Sequence, residues 1–339
     1  MLLKELCELN GVSGGEGAVR SYILDKIKPY ADEISVDTIG NITAKRNGFS
    51  SAHKIMLSAH MDEVGFIISG ITDKGFLEFK TVGGIDTRVI ISKRVKIGAD
   101  KISGVIGMKA IHLQTPDERE NVPKVSSLFI DIGAKSKEEA EKKVSLGDYA
   151  AFDTRFCEFG SGRYKAKAID DRAGCAVLIN LMAGEKPEFD TYFCFTAQEE
   201  VGLRGARIAA ARVKPDIALV VEATTCSDAG GVRAEDYVTR LGGGAAVSFA
   251  DRSTIVDREY CKWLMKLAEG ENIPVQYKAA VAGGNDAGTI HLAAGGIKTA
   301  SVSVPCRYLH SPACIAAAAD TEAAERLAGA FLKRAGEII

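Results

Sequence analysis

No apolar run in the chain approaches the length needed to cross a bilayer. The opening residues Met1–Glu8 read as an amphipathic helix and lack the apolar centre of a secretory signal. A cytoplasmic protein without membrane association is therefore expected. The eight cysteines include no C-x-x-C pair, and Cys175 and Cys194 lie in apolar runs, where reduced core thiols belong. With 43 basic and 45 acidic residues, bulk charge does not suggest nucleic acid as a partner. No basic run interleaved with aromatics is present either. A single tryptophan, Trp263, falls in a predicted helix, which disfavours a sugar cleft lined by stacking aromatics. Neither an internal repeat nor a low-complexity segment occurs. Histidine is scarce, with five in 339 residues, so few can serve as ligands.

Against these absences stands a set of charged residues at the ends of apolar runs. Tyr192-Phe193-Cys194-Phe195 leads into Thr196-Ala197-Gln198-Glu199-Glu200-Val201-Gly202. This reads as a buried strand ending in a turn that delivers two carboxylates to one place. Adjacent side chains at a strand end point in opposite directions, so one can hold a metal while its neighbour faces a substrate. Burying two negative charges together is costly unless a cation or proton compensates. Ile55-Met56-Leu57-Ser58-Ala59 runs into His60, and Asp62 is placed to accept the second ring N–H of His60 and fix its tautomer. Asp170 precedes the apolar helix Cys175–Met182, Glu222 follows Ile217–Val221, and His310 follows Thr299–Val304. Alone, each has an ordinary reading: a core histidine, a helix cap, a solvated acidic pair. Together they place acidic and imidazole groups where α/β sheets build their sites.

At this length the chain can form one large domain or two modest ones, and 46% hydrophobic residues support sizeable cores. Helices are expected at 17–27, 172–182, 204–211, 257–270 and 319–338, alternating with buried strands, as in a mixed or parallel sheet covered by helices. Between the His60 and Asp170 blocks lie short strands separated by glycine-rich turns, at 65–71, 76–82, 94–97, 102–108, 149–152 and 164–167, with one helix at 137–144. The expected fold is α/β: a mixed sheet flanked by helices over 1–66 and 163–339, with an inserted β-rich domain over 67–162. The polar stretch Gln114–Pro123 is expected to be a mobile loop.

The phrases LSAHMDEVGFII, AIDDRAGCAVLI, FTAQEEVGLRGA, VVEATTCSD and SVPCRYLHSP, in that order, resemble the M42 family of dinuclear-metal aminopeptidases, the TET and deblocking enzymes. The resemblance runs from Gly11 to the C-terminal helix. It implies that Asp170 bridges two divalent ions, His60 and Glu222 completing one position and Glu200 and His310 the other. It makes Glu199 the general base and Asp62 the outer partner of His60. The reaction implied is removal of N-terminal residues from short peptides, with the insert forming a dimer and possible assembly into a dodecamer. Mixed imidazole and carboxylate ligands suit Zn²⁺ or Co²⁺, with Mn²⁺ also compatible. Two such ions acidify a water and polarise the scissile carbonyl. The chain departs from the family pattern in three places. Glu222 stands where some members have Asp, Ala313-Cys314 follow Ser311-Pro312 where the family often continues to a Glu, and Asn285 stands where many members have Thr or another small polar residue.

Three other functions fit the sequence less well. Gly11-Val12-Ser13-Gly14-Gly15 matches the G-x-S-x-G nucleophile elbow, but that motif needs a preceding strand and Leu2–Leu9 reads as helix. A metal-stabilised scaffold would have no need of Glu199. A glycoside hydrolase using Glu199 with a second carboxylate lacks the expected aromatics. Arg240, Arg252 and Arg307 lie near the motifs and read either as structural ion-pair partners or as determinants of preference for acidic N-terminal residues.

Overall fold

The computed structural model describes residues 1–339. Four apolar runs form the middle of an eleven-stranded sheet, in the order Phe189–Thr196, Ser50–His60, Ile217–Thr225, Lys298–Arg307. All four are parallel, with Thr196 beside His60, Val220 beside Ser58 and Glu222 beside Ser303. Their continuous hydrophobicity follows from burial on both faces. Because they run the same way, their carboxyl ends share one edge, and His60, the Glu199-Glu200 turn, Glu222 and the His310 loop arrive there together. Antiparallel strands flank this centre. Ile42–Arg46 and Glu33–Val36 lie on one side; Cys314–Ala317, Arg163–Ala166 and Cys157–Phe159 lie on the other.

Helices cover both faces. Leu2–Glu8, Gly17–Ile27, Ile169–Ala183, Arg258–Gly270 and Ala318–Arg334 contribute to one core, around Leu57, Leu178, Phe193, Val221 and Phe331. Arg204–Val213 and Ala287–Ile290 close the other face over Met56, Cys194, Ala218 and Val220. Gly174 lets the helix Ile169–Ala183 lie directly on the Glu222 strand, since a Cβ there would collide with the Val221 carbonyl and the Asp171 carboxylate. The mixed α/β fold is as expected.

The stretch between the two ligand blocks closes into a six-stranded barrel: Gly65–Ile71, Leu77–Val82, Leu128–Asp131, Ile102–Met108, Arg94–Ile97 and Tyr149–Phe152. Every pairing within it is antiparallel. Its own core centres on Phe66, which meets Phe79 and Phe152 edge-on at 5.1 and 5.3 Å. The structure departs from the expected elements at three places. Leu128–Asp131 is an additional strand, too short for its alternation to show in the sequence. The strand expected at 164–167 is Arg163–Ala166, and it pairs with Cys314–Ala317 in the large sheet rather than in the barrel. The expected loop over 114–123 contains a helix, Pro116–Glu120, because Thr115 and Glu118 form a reciprocal capping box and Pro116 takes the first turn.

Candidate metal centre

The Glu199-Glu200 pair does not sit on the strand itself. The strand ends at Thr196, and Gln198 turns the chain with φ of +60°. The buried Asp62 carboxylate fixes the pair by accepting the Glu199 amide at 3.0 Å and the Glu200 amide at 3.1 Å, and it also accepts the Ser13 hydroxyl at 2.6 Å. The divergence of the two side chains is thus set by an anchored turn, not by strand alternation. Asn41 braces the same turn, accepting the Ala197 amide at 2.8 Å and donating to the Gly205 carbonyl at 2.9 Å.

His60 is buried at the end of its strand. Its Nδ1 lies 3.2 Å from the Asp62 carbonyl and 3.4 Å from the Asp62 carboxylate, so Asp62 faces that nitrogen with both groups. Nε2 turns inward, 3.1 Å from Asp170 Oδ1 and 4.0 Å from Glu199 Oε2. Asp170 lies in the first turn of the helix Ile169–Ala183 with non-helical φ and ψ, and a cis peptide joins it to Asp171. Its other oxygen is 3.5 Å from His310 Nε2, which is also 3.4 Å from Glu200 Oε2. His310, at φ of +55°, is oriented from outside the sheet, its Nδ1 lying 2.8 Å from the Gly84 carbonyl just beyond a barrel strand. Nε2 is thereby left for ligation. Glu222 lies within a strand that continues to Thr225, and its buried Oε2 has no hydrogen-bond partner.

The donors converge. His60, Glu199 and Glu200 place ligand atoms within 4.8 Å of one another, as do Asp170, Glu200 and His310. Glu222 stands outside both groups, though the charges of Glu199 and Asp170 act on it. Burial pushes the Glu199 carboxyl well above its ordinary range, with Asp286, Glu200 and Asp170 adding to the rise. Burial, then Asp170, raises Glu200 to about 7, and burial, then Glu199, raises Glu222. Burial opposes charge on His310, yet its hydrogen bond to Asp170 and the charge of Glu200 lift it to about 10. Burial would also raise Asp170, but hydrogen bonds to His310 and His60 outweigh it and hold the carboxyl down. So much crowded negative charge is costly without a cation. An orphaned carboxylate oxygen and a mixed imidazole–carboxylate set fit divalent metal.

Several supporting residues escaped the sequence reading. Asp171 accepts the His60 amide at 3.2 Å and the Gly174 amide at 2.8 Å, tying strand to helix beneath the site. Asp286 accepts the Thr196 hydroxyl at 2.6 Å from a buried position. Glu63, Lys167 and Arg172 form a buried ion cluster directly behind Asp62 and Asp170. All but Asp286 lie within or beside a quoted motif, but each has a partner far away in sequence, so no local pattern marks it. Arg307 proves to be a bidentate partner of Asp228, at 2.6 and 2.9 Å. Arg240 lies over the Tyr237 ring at 5.6 Å.

An α/β sheet with acidic and imidazole groups gathered at the carboxyl edge of its parallel strands defines a metallohydrolase-like protein. Residues 40–327 match the family described as M42 glutamyl aminopeptidase, and the chain belongs to this M42 peptidase family, enzymes that hydrolyse peptide bonds. It is 31% identical to the lysyl aminopeptidase of Pyrococcus furiosus over 98% of this chain and 96% of that protein. The aminopeptidase APDkam598 of Desulfurococcus kamchatkensis superimposes with a TM-score of 0.94 at 38% identity, covering 98% and 94% of the two chains. The TET1 peptidase of Pyrococcus horikoshii, which can assemble into a tetrahedron or a large octahedral shell, gives 0.87 at 34% identity, with 98% of each chain covered. No helix is long and apolar enough to cross a membrane.

Proposed function

We propose that this cytoplasmic aminopeptidase removes N-terminal residues from short peptides at a centre for two divalent cations, Zn²⁺ or Co²⁺ in preference to Mn²⁺. Asp170 would be shared by the two positions, with His60 and Glu222 holding one and Glu200 and His310 the other. The observation that carries this reading is the place of Asp170 between two imidazoles, one oxygen 3.1 Å from His60 Nε2 and the other 3.5 Å from His310 Nε2, with the unpartnered Glu222 Oε2 buried nearby. When bound, the cations supply an acidified water and polarise the peptide carbonyl.

The chain's own residues do the rest. Glu199 takes a proton from the attacking water and hands it to the departing amine as the C–N bond breaks. Its place near His60 would also allow it to act as a ligand, but five residues without it, with Asp170 shared, already supply both positions. Asp62 sets the direction of Glu199 and Glu200 through their amides and holds the His60 ring. The exopeptidase reading and the short-peptide substrate rest on family membership. A scaffold role would leave Glu199 without purpose, and Trp263 bonds to Glu337 on the helical surface, where it can stack no sugar at the site.

We assign residues 1–66 and 163–339 to catalysis and 67–162, the bulk of the barrel, to dimerisation, with a twelve-subunit shell as the larger assembly. The shells formed by the Pyrococcus horikoshii relative support a larger assembly. Metal content measured on the purified protein should approach two ions per chain. Asp170→Asn should lose both, and Glu222→Gln should lose one. A single ion in the unaltered protein, or one retained by Asp170→Asn, would contradict the bridging role.

A further inference from the structure

Three buried thiols lie beside the His310 loop, in addition to the residues assigned to catalysis. Cys306 is the penultimate residue of the strand Lys298–Arg307, and Cys314 opens the strand Cys314–Ala317. These strands are antiparallel, with Cys306 opposite Ala316 and Arg307 opposite Ile315. Cys314 and Ala316 share a face of the pleat, so the two cysteines are diagonal neighbours on one side of the sheet. Both thiols are buried, and each donates to a backbone carbonyl, Cys306 to Arg307 and Cys314 to Tyr308 and Ser311. Diagonal Cα atoms sit about 7–8 Å apart, slightly beyond the roughly 4.4–6.8 Å of a disulfide. Joining the sulfurs therefore requires the start of the Cys314 strand to move toward Cys306.

That movement would pull on the segment between them. Residues 307–313 carry His310, and both Tyr308, at φ of +60°, and His310, at +55°, hold left-handed conformations that only their surroundings maintain. Cys314 also donates to the Tyr308 carbonyl at 3.3 Å, so its thiol is part of what holds the loop. Cys314 lines the same small cavity as Asp170, Glu200 and His310, so an oxidant that enters the centre meets this residue first. Cys306 does not line it. The third thiol, Cys226, is occupied by Asp228 Oδ1 at 2.8 Å.

We propose that Cys306 and Cys314 are a peroxide-responsive modification site whose disulfide displaces His310 and silences the centre. The Cys314 sulfur attacks hydrogen peroxide, forming a sulfenic acid and releasing one water. The Cys306 sulfur then attacks the sulfenic sulfur, the S–S bond forms, and a second water leaves. Two thiols are oxidised, one peroxide is reduced, and a dithiol reductant reverses the change.

Trypsin separates the two cysteines at Arg307, so mass spectrometry reads the bond directly as peptides 299–307 and 308–326 joined together. Reduced protein treated with hydrogen peroxide should yield this linked pair and lose a metal ion. Peptidase activity should fall about 10–100-fold, as when a ligand's support is removed; dithiothreitol should break the link and, with the metal resupplied, restore metal content and activity. Cys306→Ala should keep its basal activity and resist peroxide; Cys314→Ser, as a second variant, should form no linked pair. A Cys226–Cys306 link, or a 306–314 link that leaves metal content unchanged, would overturn the proposal. The mass and metal readouts stand apart from the peptidase reading, so the two ideas can fail separately.

Discussion

Glu199→Gln is expected to lower kcat by about 10²–10⁴-fold, the range of a lost general acid–base group. KM should change little, so kcat and kcat/KM should fall together. The amide keeps the size and turn position of the carboxylate, and the Asp62 carboxylate still receives the backbone amides of residues 199 and 200. Metal content should stay at two ions per chain. Stability of the metal-free protein should be equal or higher, because the substitution removes a buried carboxyl that Asp286, Glu200 and Asp170 crowd. Steady-state kinetics, metal analysis and denaturation on one preparation check all of this. A loss under tenfold would remove Glu199 from proton transfer, and a lost ion would make it a ligand instead.

Glu63→Ala is expected to cost about 3–5 kcal/mol of folding stability, the range for removing one partner from a buried ion pair. Glu63 is only 2% exposed and accepts Lys167 Nζ at 2.7 and 2.8 Å, Arg172 Nη2 at 3.3 Å and the Gly11 amide at 2.9 Å. Lys167 and Arg172 are equally buried, and burial already pulls the Lys167 ammonium below its ordinary range. Removing the carboxylate leaves both cations dependent on the Leu6, Leu9 and Met61 carbonyls. Activity should fall as well, because the cluster joins the Asp62 segment to the Asp170 turn. Denaturant midpoints at constant m would measure the loss. The double variant Glu63→Met/Lys167→Met should lose less than the sum of the single changes, since each single change strands a charge. A Glu63→Ala cost below about 1 kcal/mol, the level of a surface pair, would mean that the cluster is solvated in solution.

Much of this was legible in the sequence because parallel strands buried on both faces leave unbroken apolar runs, and charges at their ends are conspicuous. His60, Glu199, Glu200 and His310 stood out for that reason. Glu222 did so less cleanly, since its strand continues three residues past it. What stayed hidden depends on contacts distant in sequence. The Gly84 carbonyl reaches His310 across 226 positions, and Glu63 meets Lys167 across 104. Neither has a periodic signature. The barrel was readable as short strands but not as a closed ring, because closure is a matter of pairing, and Leu128–Asp131 offers only four residues of alternation. The helix at Pro116–Glu120 was missed because polarity outweighed a capping box that Thr115, Pro116 and Glu118 spell out.

The most direct test of the central claim uses one short peptide with a free and with an acetylated N-terminus. Each would be incubated with the Zn²⁺- or Co²⁺-loaded protein, with chelator, and with Glu199→Gln. Stepwise loss of N-terminal residues from the free peptide alone, abolished by chelator and by the substitution, is the predicted result. Internal cleavage of both peptides would contradict the exopeptidase reading while keeping the metal centre. Persistence of cleavage after the metal is stripped would contradict the account at its root.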